Sequence, residues 1–505
     1  MARKEMREAL IRAFGAGLIL FLAFVAGSTG LLGAPPNASP EGGAPAAART
    51  PAGSPCTECI RIRVGLPRVA RGPSPGIPDS KFTEIRLPDG RFRGFSASAT
   101  TYAIDGPTPW AMGGPAVPVL GPGAPGSYGA SGKWINHVER SGNILLGWVH
   151  DETGDAPGQG LKSMSLAISK DDGLYWEDIG QIITGKDSLT HGIVTGEGDC
   201  GAVNGQDGYY YAYCGRTRDG ATIVARAPVD NPAPKHWLKY YNGQWGEPGL
   251  GGDATGLASK SAGLARWATT GQTVALGWLP GGLGLFFSRD HVAFSAVREP
   301  LLDLDTGIWR RPDPSELLAY FALLDASNGG EQLGDRWMMA YTYLQPNETF
   351  GQRYLVFRPV DVSFSPTPVS PQVGVLLARW YNKALHDHWS TTAPVPDNHG
   401  AYALEAQSGY LLTAVDPAKP SVQLEDCVSF WPGHPDHVLE VKGVCEAGHY
   451  ARLRTAGWIY QKPQAQTVPL YRCYSARDKS HFASNKADCE GLGAMERLLG
   501  YALSQ

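Results

Sequence analysis

Between residues 60 and 370 the apolar residues come in short runs of strand length, broken by Gly, Asp and Asn. No stretch sustains the 3.6-residue period of a helix. Five strand–turn–strand pairs stand out: Arg91–Asp105, Trp134–Glu152, Gly198–Cys214, Gly263–Leu279 and Glu316–Tyr343. The second strand of a pair is often aromatic, as in Tyr209–Tyr213. One run is of a different kind. Ala13–Ala26 carries no charge and follows Arg3, Lys4, Arg7 and Arg12.

That run has the order of a secretory signal, a basic segment and then an apolar core. Residues 1–34 are therefore expected to be a signal peptide, with an uncleaved anchor as the alternative. No stable membrane span is expected once it is removed. Residues 35–59 begin as a Pro/Ala/Gly tether. The eight cysteines agree with export, because they fall in close pairs: Cys56/Cys59, Cys200/Cys214, Cys427/Cys445 and Cys473/Cys489. Cys56 and Cys59 could form half a zinc site, but no second CxxC completes it. The localisation expected is extracellular, with a periplasmic or N-terminally anchored form as the alternative.

Composition narrows the class. The chain of 505 residues has 64 Gly, 39 Pro, 14 Trp and 21 Tyr, and 18% charged residues. This disfavours helical bundles and fits a turn-rich all-β protein. The formal net charge of -4, without a basic stripe, disfavours nucleic acid as a partner. A monomer is expected.

The C-terminal part, residues 372–505, repeats three times. Leu377–Tyr381, Asp387-His388-Trp389 and Gly409-Tyr410 recur as Cys427–Trp431, Asp436-His437-Val438 and Gly457-Trp458. They recur again as Leu470–Tyr474, Ser480-His481-Phe482 and Gly500-Tyr501. The histidines are 49 and 44 residues apart, and each precedes its Gly-aromatic pair by 19–21 residues. Three aromatic, turn-rich repeats predict a β-trefoil-like domain, since no repeat can bury its face alone. The segment resembles the Tyr-Arg-Tyr…His-Phe repeat domain of secreted bacterial proteins, which implies carbohydrate binding. The plain alternative for the three histidines is structural, one buried at each hairpin.

For residues 60–370 the economical arrangement of repeated hairpins is radial. The fold class expected is all-β, a five-bladed β-propeller followed by the trefoil-like repeats. Ser169-Lys-Asp171-Asp-Gly173-Leu-Tyr-Trp176 resembles the Asp-box turn of sialidase-type propellers, and Phe287–Phe294 is a degenerate copy. The whole segment resembles the five-bladed propeller glycosidases of arabinanase, xylosidase and fructosidase type. In arabinanase-type enzymes an Asp stands before an innermost strand like Cys200–Asn204 and faces the cavity, which implies that role for Asp199. The chain departs from its relatives in having Cys200 where they have Pro. It also lacks an assignable arginine triad, so sialic acid is not the expected substrate.

Glycoside hydrolysis needs two carboxyl groups across the scissile bond, one of them protonated. Asp199 is the candidate base or nucleophile, with a turn-capping Asp as the alternative. Glu247, in a rigid Gly/Pro loop, is the candidate acid. Asp151 and Glu152 end an apolar strand, and Asp105 ends another, so these are further carboxylate candidates. Each could equally be an ordinary polar strand end or turn. His150 and Arg311 are candidate substrate ligands, and Trp148, Tyr241 and Trp245 candidate stacking rings. If Asp199, Glu247 and one of Asp105, Asp151 and Glu152 fail to converge on one cavity, the hydrolase reading loses most of its support. The function expected is that of a secreted glycoside hydrolase on a poly- or oligosaccharide. The alternative is a non-catalytic carbohydrate-binding or adhesive protein. No cofactor or catalytic metal is expected; a structural calcium in the channel stays open, although no dense Asp/Asn loop argues for one.

Overall fold

The computed structural model describes residues 56–504 except 74–76, 155, 159, 191, 258–260, 268, 304–309, 394–400, 432–433 and 446–448. The expected signal peptide and the tether as far as residue 55 lie outside these; residues 56–59, counted with the tether, form a 3-10 turn closed by the Cys56–Cys59 disulfide. Among the described residues there is no α-helix; three short 3-10 turns interrupt an otherwise all-β chain.

Five antiparallel sheets succeed one another. Blade I comprises Thr83–Arg86, Phe92–Ser98, Thr100–Gly106 and Ala116–Leu120. Blade II comprises Gly132–Ser141, Ile144–Gly154, Gly160–Ser169 and Glu177–Thr184. Blade III comprises Thr195–Asn204, Tyr209–Arg216, Ala221–Pro228 and Leu238–Tyr241, with Gln244–Pro248 at its edge. Blade IV comprises Ser261–Trp267, Gln272–Leu279, Gly282–Ser288 and Phe294–Ala296. Blade V comprises Leu317–Asp325, Arg336–Leu344 and Tyr354–Phe364, and is completed by the N-terminal strand Ile60–Val64, antiparallel to its outer strand. The first strand of each blade touches that of the next, and blade V touches blade I. The ring is closed: the segment is a five-bladed β-propeller. Each of the five hairpins read from the sequence falls in a different blade.

Alternation sorts side chains between blade interfaces. On Ile144–Gly154, Leu146 and Trp148 pack toward blade III, while Leu145 and Val149 pack toward blade I. The turn at Ser169–Trp176 is bound by its own polar groups. Asp171 accepts the N–H groups of Leu174 and Tyr175, and the buried Trp176 lies edge-on to Phe95 of blade I. Asp290 holds a tighter turn in blade IV, accepting from the N–H groups of Val292 and Ala293, two and three residues on.

Residues 373–503 form three similar units. Each has a long strand that pairs with a short hairpin partner and with a third strand. The three third strands, Ala403–Leu412, Ala451–Tyr460 and Ala494–Leu503, touch one another pairwise around a core of Leu412, Tyr460 and Leu503. The hairpins interlock in sequence. The N–H of His437 donates to Asp387 and that of His481 to Asp436, while Ser480 Oγ accepts from the N–H of His388. The imidazoles follow, with His437 Nδ1 2.6 Å from Asp387 and His481 Nδ1 2.8 Å from Asp436. Ile60–Val64 also runs parallel to Val373–Asn382, so a single strand joins blade V to the first repeat.

Candidate functional site

The first strands of blades III and V each carry a bulge. The pairing register shifts between Gly198 and Gly201, and Asp199 sits there at φ 53°. It shifts again between Ala319 and Ala322, where Tyr320 sits at φ 55°. A bulge re-aims a side chain that the pleat would otherwise place on a blade face.

Asp199 is clamped on both sides. Its N–H donates to His150 Nδ1 at 3.1 Å, and its carbonyl accepts from Lys81 Nζ at 3.1 Å. The flanking glycines make this fit. A Cβ on Gly198 would stand 2.6 Å from His150 Nδ1, and one on Gly201 would stand 2.9 Å from Lys81 Nζ. The carboxylate is two-fifths exposed and lies 2.5 Å from Lys162 Nζ. Burial opposes its ionisation, but nearby positive charge, that of Lys162 and Lys81 included, outweighs burial and holds it well below the usual carboxylate range.

Behind it stand His150 and Glu152, both buried. Because His150 Nδ1 is the acceptor, the ring proton sits on Nε2, which faces Glu152 Oε1 at 3.3 Å. Glu152 also accepts the N–H of Gly158, and burial is overcome by these partners so that it too is held ionised. Burial lowers Lys81 to about 8, against the attraction of Asp199 and Glu331. Asp79, just ahead of blade I, accepts from Tyr320 Oη at 3.1 Å and pairs with Arg353 at 2.8 Å. Tyr320 is driven up by burial and then by the charges of Asp79 and Asp199 together, so it stands in the field of both.

Of the residues singled out from the sequence, Asp199, Glu152 and His150 meet. The others lie elsewhere. Glu247 is on the outermost strand of blade III and accepts the N–H of Asp253. Trp245 packs there against Tyr240, Tyr211 and Arg226, and Tyr241 lies on the neighbouring edge strand. Asp105 is on the third strand of blade I, gripped by Arg93 at 2.6 Å and Arg91 at 3.1 Å. Asp151 points to the opposite face from His150 and Glu152, where it is wholly buried and paired with Lys133 at 2.5 Å. Its burial raises it to about 6, against the pull of Lys133. Trp148 is sealed between His137 and Tyr210. Arg311 spends its guanidinium on the backbone carbonyls of Ser315, Gln345 and Glu348.

The sequence reading missed Asp79, Lys81, Lys162, Tyr320 and Arg353. A signal for two of them was present. Asp79-Ser-Lys81 leads into Thr83–Arg86, the first strand of blade I, which lies ahead of the hairpin Arg91–Asp105.

No protein-family model matches the chain. No curated protein matches it. Several solved structures resemble it. A thermostable family-43 glycoside hydrolase is 12% identical, with a TM-score of 0.38 over 58% of this chain and 98% of its own. A family 117 glycoside hydrolase of the marine bacterium Zobellia galactanivorans is 10% identical, with a TM-score of 0.38 over 62% and 94%. An alpha-L-arabinofuranosidase of Podospora anserina, solved with cellotriose, is 10% identical, with a TM-score of 0.37 over 60% and 98%. Likeness at this level carries no argument about chemistry.

Proposed function

We propose that this is an exported carbohydrate-active protein whose propeller cavity hydrolyses glycosidic bonds at Asp199. One observation carries the reading. Side chains from blades I, II, III and V converge on Asp199, the carboxylate of this set most open to solvent, and keep it anionic. An anionic carboxylate held by lysine suits a base or nucleophile. Asp79, 30% exposed and in contact with Tyr320, is the partner carboxyl. Glu152, His150 and Lys162 position Asp199 and set its charge. The four disulfides suit an oxidising compartment. No helix among the described residues is long and apolar enough to cross a membrane. In this reading the trefoil-like C-terminal repeats bind sugar, and the Asp–His interlock serves their fold.

A second reading has one observation in its favour. Every carboxylate of the cavity already has a basic partner: Asp199 with Lys162, Asp79 with Arg353, Glu152 with His150. Glu247 and Asp105 do not join them. A site with no free acid suits a protein that binds sugar without cleaving it.

Reducing-end release from a panel of polysaccharides and aryl-glycosides separates the two. Release that falls ~10²-fold or more in Asp199→Asn and in Asp79→Asn supports the hydrolase, since acid–base catalysis alone is worth that much. Release that persists in both variants moves the site elsewhere. No release, with sugar retained on a glycan array, leaves the binding protein.

A further inference from the structure

The second strands of blades II and IV run in step. Ile144–Gly154 turns its third, fifth and seventh residues, Leu146, Trp148 and His150, toward blade III. Gln272–Leu279 turns its third, fifth and seventh, Val274, Leu276 and Trp278, toward blade V. The first two of each row are core residues. At the seventh the rows part. His150 is buried and accepts the N–H of Asp199, the bulged residue of blade III. Trp278 lies beside the matching bulge of blade V, its ring 6.0 Å from that of Phe321, the residue after Tyr320. Tyr320 in turn bonds Asp79 and feels the charge of Asp199.

The two positions differ in exposure. His150 is sealed, whereas Trp278 is 41% exposed. An indole left in water at the end of a buried row forgoes much of the burial that its neighbours gain. Its backbone is nonetheless fixed. Trp278 pairs with Leu283 and Leu279 with Gly282, across a Pro280-Gly281 turn in which Gly281 takes φ 91°. The ring meets Phe321 at 82°, so at least one indole face stays clear of it. A rigid, part-open aromatic face is what the apolar C–H face of a sugar ring packs against, at little cost in side-chain entropy. Trp148, Tyr241 and Trp245, the rings singled out from the sequence, do not stand here.

We propose that Trp278 is the stacking platform of the cavity, holding a sugar ring on the blade IV side of the site that Asp199 and Asp79 occupy. The inference rests on the reading of that cavity as a sugar site. It assigns to blade IV the binding surface, where blades I, II, III and V supply the charged groups.

Trp278→Leu keeps an apolar contact for Phe321 but removes the flat face, and Trp278→Phe restores one. The full chain and both variants are compared on the panel of polysaccharides and aryl-glycosides. KM is read where sugar is released, and the half-saturating glycan concentration where it is only retained. Either is expected to rise ~10-fold or more in Trp278→Leu, with kcat within about 2-fold, because the ring binds ground state and transition state alike. Tm should change little, and Trp278→Phe should return to within about 3-fold of wild type. A Trp278→Leu variant with wild-type KM or half-saturation overturns the platform and leaves the sugar site standing. So does a fall in kcat at unchanged KM, which would make Trp278 a prop for the Tyr320 bulge. A wild type that neither releases nor retains any glycan of the panel overturns the sugar site itself, and the platform with it.

Discussion

Asp199 and Tyr320 share one backbone conformation, φ 53° and 55°, at matching bulges in the first strands of blades III and V. For an L-residue the left-handed region costs ~1–2 kcal/mol, least for Asp and Asn. Asp199→Gly and Tyr320→Gly are therefore expected to remain folded, whereas Asp199→Val loses ~1–2 kcal/mol beyond the glycine variant. Urea unfolding measures this, and equal stability of the Val and Gly variants would remove the bulge from the account.

Lys162 sets the charge of Asp199. An aspartate held below its usual range stabilises the fold above pH ~4 and loses that contribution as pH falls through its folded value. Lys162→Met is expected to move the Asp199 titration up toward ~3.9. The acid limb of any turnover that uses Asp199 as base then moves to higher pH. Carboxyl-carbon NMR titration tests this directly, and an unmoved midpoint contradicts the assigned pairing.

Gly198 is a spacer for an imidazole. Gly198→Ala places a methyl 2.6 Å from His150 Nδ1 and is expected to break the hydrogen bond from the Asp199 N–H. Sugar turnover or retention should fall at least ~10-fold, the equivalent of losing one ~1.4 kcal/mol contact. Wild-type behaviour of the alanine variant would mean that the clamp is dispensable.

Asp387 holds two hairpins together. It is wholly buried and accepts from Tyr402, Ser480 and both nitrogens of His437 named above. Asp387→Ala strands these donors and should cost ~3 kcal/mol or more. Acid should loosen the same ring. His481 and Tyr450 overcome burial to hold Asp436 below the usual range, a contribution present above pH ~4 and lost as pH falls. Thermal unfolding of wild type and variant between pH 3 and pH 7 would show both effects, and an undisturbed Asp387→Ala melt would refute the interlock.

The blades were legible because hairpins declare themselves locally: an apolar run, a Gly or Asp turn, then an aromatic run, as at Gly198–Cys214. The site was legible only in part. Asp199 shows itself through flanking glycines, and His150 and Glu152 through a polar break in an apolar strand. Glu247 and Asp105 sit in equally suggestive loops, yet one lies on an edge strand and the other beneath two arginines. Tyr320 was hidden in the apolar run Leu317–Leu324, because a one-residue bulge leaves no mark on hydrophobic periodicity. Arg353 owes its place beside Asp79 to the closure of the ring, and Lys162 its place beside Asp199 to the seam between blades II and III, and no local window contains either.

The strand Ile60–Val64 pairs with residues 360–364 on one side and 373–375 on the other. During synthesis it waits for nearly three hundred residues before either neighbour exists. The propeller therefore stays an open arc until its last blade is made, and the same docking event closes the ring and seats the first C-terminal repeat. Cutting the chain just after residue 64 would release both sheets from their common seam, so the smallest piece that can fold whole begins ahead of Ile60 and runs past Val375.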